Sequence, residues 1–175
     1  MAKPEIDIDV DPETGRWFVD KMPMILVPQH FYNNNHFAIE GAMGEAAFDA
    51  ALAPAGHTSA YVWCKRQAEV YGLEGVPVFA HYMKRLSQRG WGLFSILAID
   101  PQAGTATIRL DHSSFVTDAT KGAGRKLCYM FAPWLAGALA FVCEQQGFPT
   151  ALEAREVQCA AEGHDHCLFE VTPAA

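Results

Sequence analysis

Three cysteines and one glutamate are the residues of this chain best suited to chemistry at a fixed point. Cys159 and Cys167 stand in the pattern Glu156-x2-Cys159-x7-Cys167, and Cys128 lies upstream at the start of a long apolar stretch. Three thiolates and a carboxylate are able to surround a zinc ion tetrahedrally. The spacing lacks a C-x-x-C knuckle, and small buried cysteines also pack as hydrophobes. Metal ligands and core thiols therefore both remain open readings at this level. His164 and His166 lie between Cys159 and Cys167 and are either substitute ligands or polar side chains at a hairpin tip.

Something must bring these residues together. Residues 151–160 and 167–172 read as strands, and a hairpin places their facing ends about 4.8 Å apart. Glu156 is three positions before Cys159, so it falls on the opposite face of an ideal strand. A bulge or bend is required to bring it to the same point. Cys128 must arrive from the first turn of an apolar helix over 126–146. From Leu127 to Cys143 that helix has no charge for 17 residues. This falls short of the roughly 20 needed to span a bilayer, so the spacing predicts a helix buried on several sides.

Upstream, residues 1–15 read as a flexible acidic arm and 16–175 as a single domain. Residues 16–27 form an extended stretch. Helices are predicted over 28–41, 44–52, 57–71 and 76–88, with Pro54-Ala55-Gly56 ending the second. Strands at 91–100 and 105–112 make a further hairpin, followed by a polar loop at 113–124. Helices first, then hairpin, helix and hairpin, give an α+β fold. Its antiparallel sheet is made of two hairpins that share one sheet, with helices packed on it.

The totals restrict the partners. Half of the 175 residues are hydrophobic, 19% are charged, and the net charge is −7. That sign opposes phosphate backbones and anionic lipid, so neither nucleic acid nor a membrane is expected as partner. Five cysteines, an odd number, and no apolar leader in the first residues predict a reducing, cytoplasmic setting. No G-x-S-x-G, H-E-x-x-H, P-loop or G-x-G-x-x-G motif is present. Asp111-His112-Ser113 holds triad residue types, but neighbours in a strand point to opposite faces. No catalytic residues are assigned. A pocket for an apolar molecule needs aromatic walls and a few polar groups. His57, Tyr61, Trp91, Phe94, His112 and Trp134 are the candidate ligand-binding residues, placed to line a hollow beneath the apolar helix.

The tail carries a resemblance. Glu156, Cys159, Gly163, Cys167 and Phe169 complete a signature, roughly E-x2-C-x3-G-x3-C-x-F, similar to that closing the 4-vinyl reductase domain family. Cys128, Met130 and Gly137 match the C-W-M-x-x-G-Y-x-x-G stretch of its phenol- and xylene-sensing members, with Pro133-Trp134 in place of Gly-Tyr. The resemblance implies an α/β sandwich, often homodimeric, related to vesicle-tethering subunits. It also implies a structural zinc held by Cys128, Glu156, Cys159 and Cys167 beside an aromatic-ligand pocket. The interval from Cys128 to Glu156 is longer than in those sensors, and an insertion at the 145–150 turn is expected to absorb it. The function implied is a binding module for a small hydrophobic or aromatic molecule, possessing no ATPase or DNA-binding domain and serving as accessory to a partner enzyme. Two alternatives are an enzyme or enzyme subunit of the vinyl reductase type acting on a tetrapyrrole, and a non-catalytic assembly subunit.

Overall fold

The structure is a computed structural model and describes residues 5–174. Three short strands, β1 (Asp9–Val10), β2 (Trp17–Val19) and β3 (Met22–Met24), form an antiparallel meander in that order. Two residues of the acidic arm thus pair with β2, and residues 1–4 lie outside the described residues. The extended stretch 16–27 contains a hairpin, with Asp20 and Lys21 at its two-residue turn. Both have positive φ, 52° and 61°. Such turns favour Asn and Gly, so Asp-Lys carries strain there. Tertiary bonds offset it. The Asp20 carboxylate accepts from Arg85 at 2.7 Å and from the Tyr71 hydroxyl, and its carbonyl accepts from Gln67 at 3.5 Å.

Pro28 immediately precedes α1 (Gln29–Met43). Next comes α2 (Glu45–Tyr71), a single helix of 27 residues that runs straight through Pro54. The predicted break at Pro54-Ala55-Gly56 does not occur. Pro54 forfeits one backbone bond and points outward, at a cost of about 3 kcal/mol. Packing of the same helix on the apolar helix that follows outweighs this. Gly72, at φ 63°, ends α2 in the left-handed region. Helix α3 (Val76–Gln88) opens with Pro77 in its first turn and buries Phe79, Met83 and Leu86, as its period requires.

The remaining elements are β4 (Leu93–Asp100), β5 (Thr105–Asp111), α4 (Phe131–Gln145), β6 (Leu152–Gln158) and β7 (Cys167–Pro173). The two hairpins share one antiparallel sheet in the order β4-β5-β7-β6. Ala106, Ile108 and Leu110 of β5 and Cys167, Phe169 and Val171 of β7 are buried, while the residues between them are half-buried. One face is therefore core and the other faces solvent. Helix α4 lies between that core face and α2, and every residue from Leu135 to Cys143 is buried. It is buried on several sides, as its sequence requires. No helix among the described residues is long and apolar enough to cross a membrane.

Helix α4 begins at Phe131, later than the predicted 126. Pro133 has no N–H to give to the Tyr129 carbonyl, so the chain before it closes as turns. That leaves the backbone around Cys128 free to bond elsewhere.

Where α2 crosses α4 the backbones nearly touch. A Cβ on Gly137 would overlap the His57 carbonyl group, lying 2.8 Å from its carbon, and one on Gly56 would lie 2.6 Å from Trp134 Cδ1.

Candidate functional site

The sheet register explains how Glu156 reaches the cysteines. Glu156 pairs with Phe169 and Gln158 with Leu168, so one residue of β6 bulges out between them. The bulge turns Glu156 to the face that Cys159 occupies. Cys159 then caps a single 3-10 turn, Ala160–Glu162, which Gly163 closes at φ 103°. The chain re-enters the sheet at Cys167. Cys128 comes in from the turns before α4, its N–H donating to Glu156 Oε2 at 2.9 Å across 28 residues.

The result is a buried cluster of three sulfurs and a carboxylate. The Sγ atoms are 3.6 Å (Cys128–Cys167), 3.8 Å (Cys159–Cys167) and 4.0 Å (Cys128–Cys159) apart, and none is in a disulfide. All four ligand atoms lie within 4.8 Å of one another. Zinc–sulfur bonds of about 2.3 Å imply tetrahedral S···S edges of about 3.8 Å. The observed distances straddle that value. Glu156 Oε1 is buried without a hydrogen-bond partner, a costly state unless an ion takes it up. The residues present therefore fit a divalent metal, with four protein ligands and no open position. Such a closed set supplies structural cross-linking rather than a reactive site.

Surrounding bonds suit anionic sulfur. The Ala160 N–H donates to Cys167 Sγ at 3.3 Å and the Ala161 N–H to Cys159 Sγ at 3.4 Å. Ser113 Oγ lies 3.0 Å from Cys128 Sγ. Glu162 accepts from the Cys159 N–H at 3.0 Å and is itself paired with Lys126 at 3.0 Å. Without metal, S–H donation from Cys128 and Cys167 pulls the Cys159 thiol well down. The same contacts push Cys128 far up. Burial, then the Cys159 sulfur, pushes the Glu156 carboxyl up to about 9. The metal-free cluster thus holds protons that a metal would expel. Ser113, Lys126 and Glu162 carry no motif, and nothing in the sequence singles them out. His164 is exposed, and neither it nor His166 joins the four ligands.

The candidate ligand-binding residues separate into groups. His57 lines a cleft of about 480 Å³ with Asp49, Ala53 and Pro54 of α2, Ala132 and Ala136 of α4, and the whole stretch 152–156 of β6. Glu156 is therefore shared between this cleft and the sulfur cluster. Exposed Pro54, Glu153 and Arg155 lie at its rim, so the expected hollow is an open cleft. Trp91, Phe94 and Trp134 meet around Phe131, with ring centroids 5.8, 5.4 and 5.3 Å from it. Two residues are not brought in. Tyr61 packs edge-on against Phe141 and bonds Glu144 on the outer side of α2. His112 is exposed with φ 54° just past β5.

A further buried group has no signal in the sequence. His36 of α1 is 4% exposed and is ringed by Tyr32, Phe37, Phe48, Phe115 and Tyr129. Its Nε2 lacks a partner. Glu40, one turn on, accepts from Tyr129 at 2.7 Å and is paired with Arg125. Burial lowers the His36 pKa, more than the Glu40 charge raises it. The unfolded chain therefore takes up this proton first as pH falls through about 6.5. His36 contributes stability that is present above that pH and lost below it. Replacing His36 with Phe should make the melting temperature fall less between pH 7.5 and pH 6. An unchanged fall would contradict the assignment.

Comparison with known proteins defines the class of this site. Residues 111–173 match the model of the 4-vinyl reductase domain, which covers the cluster and β5 through β7. The C-terminal part is thus a domain of the family whose signature the tail resembles. Residues 2–97, over half of the chain, match the model described as "Domain of unknown function (DUF5943)", and the protein belongs to that family. Among solved structures, the chain is similar to the phenol-responsive sensory domain of the transcription activator PoxR with phenol. The TM-score is 0.72 at 15% identity, covering 95% of this chain and 84% of that one. This likeness establishes the shared α+β fold. A trafficking protein particle complex subunit 3 from Naegleria fowleri, covalently bound to palmitic acid, also matches. Its TM-score is 0.48 at 11% identity, over 84% of this chain and 95% of that one. No curated protein matches the chain.

Proposed function

We propose that this protein is a binding module for a small hydrophobic or aromatic molecule, with a structural zinc fastening the terminal hairpin to α4. The observation carrying this reading is the sharing of Glu156 between the sulfur cluster and the cleft beside it. A metal at the cluster would hold β6 and the turns before α4 in place, and those two segments wall the cleft. The 4-vinyl reductase domain match and the fold of the phenol-bound PoxR domain support a small organic guest. The floor of Ala53, Ala132, Ala136 and Leu152 is apolar, and His57 and Asp49 offer polar contacts.

In this reading residues 16–175 act as one domain of the 4-vinyl reductase type in the cytoplasm, as accessory to a partner enzyme of metabolism. A homodimer is favoured by apolar side chains left outside: Ile25, Leu26, Phe31, Ile39 and Met43 are 47–83% exposed.

Native mass spectrometry of the gently purified protein tests the module. A retained small molecule, lost when Ala136→Trp fills the cleft, is the expected outcome. Protein that never carries or takes up a small aromatic compound would overturn the reading. Metal analysis tests the fastener, with about one zinc per chain expected. Because binding expels protons, zinc retention should decline as pH falls. Retention independent of pH between about 7.5 and 5 would count against thiolate ligation.

A further inference from the structure

A second cleft lies on the opposite side of the aromatic cluster, between the strand-exit segment 24–27, α1 and the end of α3. It measures about 290 Å³, and Trp91, Tyr32, Arg89, Asn33 and Ser114 are among its lining residues. It shares no lining residue with the cleft beside the cysteines.

Its polar groups are unusual. Ser114 is 8% exposed and its hydroxyl is buried without a hydrogen-bond partner. The rest of this residue is held firmly. Its carbonyl accepts from Gln29 and, at 2.8 Å, from Asn33, and its N–H donates to the Trp91 carbonyl at 3.0 Å. The hydroxyl is thus fixed in place with its bonding capacity unused, which costs free energy unless a guest takes it up.

Arg89 adds a charge. It is half-buried, donates Nε–H to the Arg85 carbonyl at 3.0 Å, and lies 5.1 Å over the Trp63 ring. Arg66, Arg85, Arg109, Arg125, Lys126 and Arg155 each pair with a carboxylate; Arg89 has none within 4.0 Å among the described residues. Burial holds its guanidinium below the ordinary value, as expected for a cation withdrawn from water without an anion.

The walls are aromatic and aliphatic. Tyr32 and Trp91 meet edge to face at 5.2 Å, and Met24, Ile25 and Leu26 line the same cleft. The volume suits about one ring with a short side arm.

We infer that this cleft is a binding site for an aryl carboxylate, with Arg89 and the Ser114 hydroxyl receiving the carboxylate and Trp91 and Tyr32 receiving the ring. A carboxylate supplies the anion that Arg89 lacks and an acceptor for the free Ser114 O–H. A neutral ring satisfies neither.

The test uses the full-length protein and two probes, phenylacetate and phenylacetamide, followed by calorimetry and by tryptophan fluorescence. The acid should bind at least about tenfold more tightly than the amide. Arg89→Met should abolish that preference, and Ser114→Ala should weaken the acid while leaving the amide unchanged. Equal binding of the two probes, binding of neither, or a preference that survives Arg89→Met overturns the site. Should Arg89→Met fail to fold for want of its contact with Trp63, the acid–amide ratio and Ser114→Ala decide alone. The zinc and the cleft beside it enter none of these measurements, so failure here leaves the proposed function standing, and the reverse.

Discussion

Gly137→Ala should lower the melting temperature by about 6–12 °C. The added Cβ would overlap the His57 carbonyl oxygen and sit 2.8 Å from its carbon and 2.9 Å from the His57 Cα. All three are backbone atoms of α2, so no side-chain rotation relieves the clash. The two helices must separate, and overpacking of this kind costs about 3 kcal/mol. Each kcal/mol shifts the midpoint of a chain this size by about 2–4 °C. The same separation would carry His57 away from Ala132 and Ala136 and widen the cleft they share. Gly41→Ala is the control, because nothing lies within 4 Å of that position and it sits inside α1. There the change should be neutral or slightly stabilising. Equal midpoints for the two variants would show that the backbones do not touch at the crossing.

Cys167→Ser and Cys159→Ser should each release the metal and lower the melting temperature by a similar amount or more. Structural zinc contributes about 10–16 kcal/mol of binding free energy in small zinc-dependent folds, which sets a ceiling for the effect. This domain also has a large core of its own, with Phe115, Phe131, Phe169 and Leu139 among its fully buried side chains. Losing one ligand should therefore weaken the domain rather than unfold it. Cys64 supplies the contrast. It is fully buried but far from the cluster, against Tyr82 and Arg89. Cys64→Ala should cost some stability and leave metal content unchanged. If Cys167→Ser keeps its zinc, or if the unaltered protein never binds any, the cluster is a packing contact between thiols.

Much of this can be read from residue order, and the exceptions have physical causes. The hairpin pairing of Cys159 with Cys167 follows from strand periodicity, and the need for a kink at Glu156 follows from its odd spacing. The bulge between Glu156 and Gln158 supplies that kink. Helix α2 reads as two in the sequence because proline and glycine speak about local cost alone. What keeps Pro54 helical is the contact of its helix with α4, a fact about residues roughly 80 positions away. The Asp20-Lys21 turn is invisible for the same reason, since its positive φ values depend on Arg85, Tyr71 and Gln67. His57 reaches the cleft because it lies on the inner side of α2, whereas Tyr61, a turn later, looks outward to Glu144. His36 and Ser114 bear no motif. Their interest comes from unmet bonds in a folded interior, which no one-dimensional pattern records.

The uninterrupted α2 has a mechanical meaning. At about 1.5 Å per residue it is a rod about 40 Å long. Ala53, Pro54 and His57, near its middle, edge the groove beside the sulfurs, and Gln67 and Tyr71, at its tail, grip the strained Asp20 corner of the opening meander. Gly56 and Gly137 form the pivot between them. A guest that pried the groove apart would swing the far end like a lever arm and tug on that corner. Had the chain broken at Pro54, the two places would be mechanically deaf to each other.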